Sequence, residues 1–217
     1  MLLVERITVG ALFTNCYIVY DSEKSVGIIV DAGDEADKIL ATVDRRDVKI
    51  RGIFLTHGHF DHVLAVQDLK KELNCGFYLH KADEEILKFV PHDAKTFLDR
   101  DVPPPPKPDG WIAEGQVIEV GKYSAKVIHT PGHTPGSVCY VFDGCVFTGD
   151  TLFAGSVGRT DLHGGNPNLL ISSIVDKLFK LPDSYAVYPG HGPSTTIGVE
   201  KKLNPFVGAS GLLRSGP

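Results

Sequence analysis

Apolar residues at the start of the chain come in short blocks divided by turn formers: residues 2–9, 15–20 and 26–30, each rich in Ile, Val or Tyr. Blocks of that length and composition predict β-strands. The period then changes. Ile39, Leu40 and Val43 recur at helical spacing and predict a helix over 35–45, with Asp34 as its cap. A strand follows at 50–55, and Val63, Val66, Leu69 and Leu73 share one face of a helix expected over 61–73. The second half repeats the style, with strands near 116–120, 125–129, 138–142, 146–148 and 185–188 and helices near 168–179 and 200–206.

Strands alternating with helices predict an α/β chain. Similar order in both parts predicts one domain of two packed halves, about 1–105 and 106–207, followed by a loose tail at 208–217. Between the halves lies Val102-Pro103-Pro104-Pro105-Pro106-Lys107-Pro108. Its prolines lack amide donors and favour an extended conformation, so it is expected to act as a stiff crossing.

Composition narrows the functional classes. The chain has 217 residues, enough for a large core, and no apolar run approaches the ~20 residues of a membrane span. The opening Met1-Leu2-Leu3-Val4 meets Glu5 and Arg6 too soon for a secretory signal, so a soluble cytoplasmic protein without a membrane partner is expected. A formal charge of -5 offers no attraction to nucleic acid. Cys16, Cys75, Cys139 and Cys145 show no Cys-x-x-Cys spacing and read as reduced core thiols.

The chemistry is concentrated in Thr56-His57-Gly58-His59-Phe60-Asp61-His62, directly after an apolar strand. Alternation along an extended backbone lets His57 and His59 face one ion while Asp61 and His62 face another. Two pairs of donors suggest two metals. Further donors stand in three other strand-end loops: His133 in Thr130-Pro131-Gly132-His133, Asp150 in Thr148-Gly149-Asp150, and His191 in Pro189-Gly190-His191. Glycines beside them are expected to let the backbone approach an ion closely. His80, His92 and His129 lack this setting and read as surface or core residues, while the loop of His163 could reach the site.

Together with Ile29-Val30-Asp31-Ala32-Gly33 and Gly158-Arg159-Thr160-Asp161, these motifs make the chain resemble metallo-β-lactamase-fold hydrolases of the glyoxalase II-like branch, over essentially its whole length. The resemblance implies a four-layer αββα sandwich with metals at one edge of the paired sheets. It implies His57, His59 and His133 on a first metal, Asp61, His62 and His191 on a second, Asp150 bridging both, and Asp31 fixing the loop that carries the histidines. By position Arg159 matches a basic residue that contacts the carboxylate of glutathione.

Imidazole and carboxylate donors suit two divalent ions, zinc first, with iron or manganese admissible. Such a pair can hold a bridging hydroxide and polarise a carbonyl, with Asp61 as catalytic base. A thiolate leaves near neutral pH without strong proton donation, so a small-molecule thioester such as S-2-hydroxyacylglutathione is the expected substrate. There are departures from the glutathione enzymes. Asp161 and Gly192-Pro193 stand where they carry aromatic residues, and only a short helix is expected where they add a helical domain. The Gly-Arg-Thr-Asp form also resembles persulfide dioxygenases with one iron, which gives the alternative activity. The spacing of these motifs does not decide the oligomeric state.

Overall fold

Strand β2 (Thr14–Asp21) is buried at every position, which requires a layer on each of its faces. The computed structural model describes residues 1–212 and shows those layers. One six-stranded sheet has the order β1-β2-β3-β4-β5-β6, with β1 (Leu2–Val9), β3 (Val26–Val30), β4 (Lys49–Phe54), β5 (Gly76–His80) and β6 (Gly110–Ile112). The second has the order β14-β13-β10-β9-β8-β7, with β7 (Val117–Val120), β8 (Tyr123–His129), β9 (Val138–Phe142), β10 (Cys145–Gly149), β13 (Ala186–Pro189) and β14 (Thr195–Thr196). A small hairpin of β11 (Leu152–Phe153) and β12 (Ser156–Val157) follows β10.

The period of two divides each strand between two cores. Tyr17, Val19, Ile28, Val30 and Phe54 meet Val127, Tyr140, Phe142 and Phe147 between the sheets. Ile18, Ile29 and Ile53 point the other way, onto Ile39 and Val43 of α1 (Ala36–Arg46) and Val66 and Leu69 of α2 (Val66–Leu73). Cys139, Val146 and Val187 pack beneath Leu170, Ile174 and Ile197 of the second helical layer, formed by α5 (Pro167–Ser172), its π-helical continuation Ser173–Lys177, and α6 (Ile197–Leu203). The expected αββα order is present.

Several local expectations change. Glu35, in the left-handed region at φ 51°, precedes α1, and Asp34 accepts from the Glu35 amide instead of capping the helix. The helix expected over 61–73 breaks into a 3-10 turn, Phe60–His62, and the later α2. The amides of Leu64 and Ala65 are drawn away to the carbonyls of Gly33 and Ala32, which prevents a continuous ladder. Residues 74–110 contribute β5, α3 (Glu84–Leu87), α4 (Val90–Leu98) and the start of β6, none of them expected. Because β6 joins the first sheet, the chain passes between sheets after Ile112, and the proline run is not the crossing between halves.

Residues 208–212 fold back on α6, with the Ala209 amide donating to the Lys201 carbonyl and that of Leu212 to Pro205. The looseness expected for the tail does not describe them; 213–217 lie outside the described residues. Cys16, Cys139 and Cys145 are buried and Cys75 half-buried, all four as free thiols. Among the described residues no helix is long and apolar enough to cross a membrane.

Candidate metal centre

In both sheets the carboxyl ends of parallel strands reach one rim. There β3 delivers Asp31, β4 delivers the segment from Thr56 to His62, β10 delivers Asp150 and β13 delivers His191, while antiparallel β8 ends just before the His133 loop. Loops beyond strand carboxyl ends are where α/β sheets place ligands. The two sheets are also stitched together there. Tyr17 Oη donates to the Pro189 carbonyl at 2.7 Å, the Asn15 amide to Gly190 at 2.7 Å, and the Val138 amide to Thr56 at 2.8 Å.

Seven side chains gather at that rim. Donor atoms of His57, His59 and His133 lie within 4.8 Å of one another, as do those of His57, His62 and Asp150, and those of Asp61, His62 and His191. His59 Nδ1 and His133 Nε2 are 2.9 Å apart, and His62 Nε2 and His191 Nε2 3.4 Å. Asp150 lies between the first and last of these trios, with Oδ1 3.5 Å from His62 Nε2 and Oδ2 3.7 Å from His133 Nε2 and 3.6 Å from His191 Nε2. His57 Nε2 and Asp150 Oδ1 are buried without any hydrogen-bond partner among the described residues. Leaving such atoms unpaired costs about 1–3 kcal/mol each. Convergent imidazole and carboxylate atoms with orphaned lone pairs fit a divalent cation.

The far side of three of the rings is held. His57 Nδ1 is 3.0 Å from Thr56 Oγ1, His133 Nδ1 donates to the Arg159 carbonyl at 2.8 Å, and His191 Nδ1 to Leu12 at 3.0 Å. Such bonds fix the tautomer and leave Nε2 of these three rings as the donor atom, while His59 turns its Nδ1 toward His133. Asp31, in the left-handed region at φ 58°, accepts from the Thr56 amide at 2.7 Å and from Thr56 Oγ1 at 2.8 Å, and lies 3.1 Å from His62 Nδ1. It thus orients His62 directly and His57 through Thr56, which its turn-forming character alone does not reveal.

Charge separates the trios. Burial, with His62 and His133 beside it, holds the His57 imidazole well below its ordinary range, and burial with His133 lowers His59 to about 3. Burial acts the same way on His62, but Asp61, Asp31 and Asp150 outweigh it and raise this imidazole to about 10. Burial opposes charge on Asp61 too; His62, His191 and the Thr14 hydroxyl, 2.9 Å away, win and hold its carboxyl below the usual range. A carboxylate so acidic is a weak proton acceptor, so in the metal-free protein Asp61 is a hydrogen-bond acceptor before it is a base.

Over the cluster opens a cavity of about 210 Å³, walled by Leu12, Phe60, Phe97 and Leu162 with Asp93 and Arg159 at its sides. Phe60 and Phe97 stack at 5.8 Å. Arg159 is forked onto Asp161 through Nε and Nη2 at 2.8 and 2.7 Å. His163 lies tilted against Phe89, and His80 stacks on His129. Of the glycines, Gly190 makes room for two members of the cluster: a Cβ there would lie 2.2 Å from Asp150 Oδ1 and 2.8 Å from His62 Cε1. Thr14, Asn15, Leu12, Asp83 and Phe97 carry no local signal in the sequence, because their roles depend on contacts far along the chain.

The metallo-beta-lactamase superfamily pattern matches residues 9–191. Hydroxyacylglutathione hydrolase GloC of Haemophilus influenzae is 36% identical over 94% of this chain and 97% of its own length. Two solved structures cover 94% of this chain: BLEG-1, a B3 metallo-beta-lactamase, at 35% identity with a TM-score of 0.88 over 99% of its length, and TTHA1623 in a di-iron-bound form, at 39% with 0.84 over its full length. A histidine- and aspartate-lined rim on an αββα frame, with these likenesses, makes the chain a metal-dependent hydrolase that belongs to the metallo-β-lactamase superfamily, as a glyoxalase II-like member.

Proposed function

We propose that the protein hydrolyses thioesters of small carboxylic acids, S-2-hydroxyacylglutathione among them, with two divalent cations. The observation that carries this reading is the pair of donor trios flanking Asp150 on the floor of one cavity. His57, His59 and His133 would hold one cation, Asp61, His62 and His191 the other, and Asp150 would touch both. When bound, such a pair acidifies water and polarises a carbonyl. The di-iron form of TTHA1623 supports two positions, and zinc, iron and manganese all suit the donors.

The chain's own residues supply the rest. Asp61 accepts a hydrogen bond from the attacking water and fixes its direction. Leu12, Phe60, Phe97 and Leu162 exclude bulk water from the reacting carbonyl. A cavity of about 210 Å³ is smaller than the roughly 300–1,000 Å³ of sites that enclose drug-sized ligands, so it takes the acyl end and leaves a long thiol partner across the rim. Asp161 occupies Nε and Nη2 of Arg159, and the Nη1 donors remain for a substrate carboxylate. A departing thiolate needs little protonation, which suits a cavity whose ionisable groups besides the clustered donors are Asp93 and Arg159. Likeness to GloC supports the same substrate class.

The test is a panel of thioesters, lactones, β-lactams and glutathione persulfide, assayed with protein of measured metal content. Thioesters should be hydrolysed fastest with two metals per chain. Oxygen uptake on the persulfide with one iron per chain, or preferential lactam cleavage, would replace this reading.

A further inference from the structure

Asp83 is a fully buried carboxylate outside the donor cluster, at the end of the turn that follows β5. Its Oδ2 accepts from the Gly58 amide at 2.9 Å and from Thr134 Oγ1 at 2.7 Å, and its Oδ1 from the Gly136 amide at 2.6 Å. Gly58 lies between His57 and His59; Thr134 follows His133. One carboxylate therefore ties together the two loops, from different sheets, that carry the all-histidine trio. The fit is close: a Cβ on Gly136 would stand 2.7 Å from Asp83 Cγ. A second tie lies just outside, where His129 stacks on His80 at 4.3 Å and its Nε2 lies 2.8 Å from the Pro135 carbonyl. None of the contacts of Asp83 reaches Asp61, His62 or His191.

We propose that Asp83 is a positioning residue that sets the spacing of His57, His59 and His133, and so governs cation affinity at that position alone. All its partners are donors, so the ionised carboxylate, an acceptor only, is the form that satisfies them. An asparagine of equal size would turn an NH2 group toward at least one of those donors. The inference rests on the two-cation reading above only in naming a second position as its internal control.

The experiment is a calorimetric titration of the full chain with zinc in paired backgrounds. His191→Ala leaves the all-histidine position, and His57→Ala leaves the position of Asp61, His62 and His191. Asp83→Asn should weaken zinc about 10- to 100-fold in the first background, and by less than about twofold in the second. A general loss of structure would weaken both equally, and that result overturns the assignment, as does no change in either. If Asp83→Asn does not fold, Thr134→Val removes one donor and should weaken the first background alone by roughly threefold to tenfold; no selective change overturns the proposal. Should the unsubstituted chain bind a single zinc, the two-cation reading fails on its own, and the effect of Asp83 on the His57, His59 and His133 position is still read.

Discussion

The two donor trios share a rim, yet they differ in almost every physical respect. His57, His59 and His133 are buried, at 0, 7 and 2% exposure, and carry no carboxylate of their own. Asp61, His62 and His191 include one, touch Asp31 and Asp150, and open toward the cavity through His191 at 27%. Imidazoles a few ångströms apart are accordingly pushed in opposite directions, His59 to about 3 and His62 to about 10. The residue type does not set the charge; the neighbours do. His57 and His59 of the buried trio are held neutral near pH 7, whereas His62 and His191 of the open one hold protons that a cation would have to displace.

Asp150 lies against members of both trios, so its loss should erase the contrast. Asp150→Ala is expected to lower metal content at both positions and to cut kcat/KM by more than about 100-fold, beyond the usual loss from an outer supporting group. Metal analysis beside the rate measurement checks it, and full loading with retained hydrolysis would break the comparison.

A smaller effect sharpens the contrast through pH. His62 and His191 are raised above the ordinary imidazole value of 6.5, so zinc binding there releases protons. Affinity should climb with pH, by at most about tenfold per unit for each proton displaced, up to about pH 10. His57 and His59 are lowered and already neutral at pH 7, so the other position should be nearly flat above it. In the metal-free protein the same shifts act on stability with opposite signs. The contribution of His62 is complete below about 6.5 and lost as pH rises to about 10; that of His59 is complete above about 6.5 and lost as pH falls to about 3. Melting of chelator-treated protein should therefore be highest near neutrality, and zinc titrations from pH 6 to 9 should separate the two positions.

The mildest change concerns Arg159, whose carbonyl holds His133 while its side chain faces the cavity. Arg159→Ala keeps the carbonyl, so metal content should stay unchanged, and KM should rise about tenfold for carboxylate-bearing thioesters and far less for neutral ones. An equal effect on both classes would leave Arg159 as the partner of Asp161 alone.

The donors were legible because each follows a short apolar strand and stands among turn formers, a signal contained within a few residues. The helix after Asp61 was misplaced for the complementary reason: Leu64 and Ala65 have helical neighbours, but their amides are claimed by Gly33 and Ala32, some thirty positions earlier. Asp83 and Asn15 carried no local signal, and both act on loops brought near only by the folded sheets.

Periodicity along the chain determined the strands, the helices and their α/β alternation and placed seven donors at or just after strand ends, since alternation and turn chemistry are properties of neighbouring residues; the four-layer order came from the resemblance of its motifs to a known family. Tertiary structure alone decided which imidazoles are neutral, which carboxylates hold the loops, and how narrow the cavity is. Those depend on burial and on distances of a few ångströms between residues far apart in sequence, where desolvation and Coulomb energy are set.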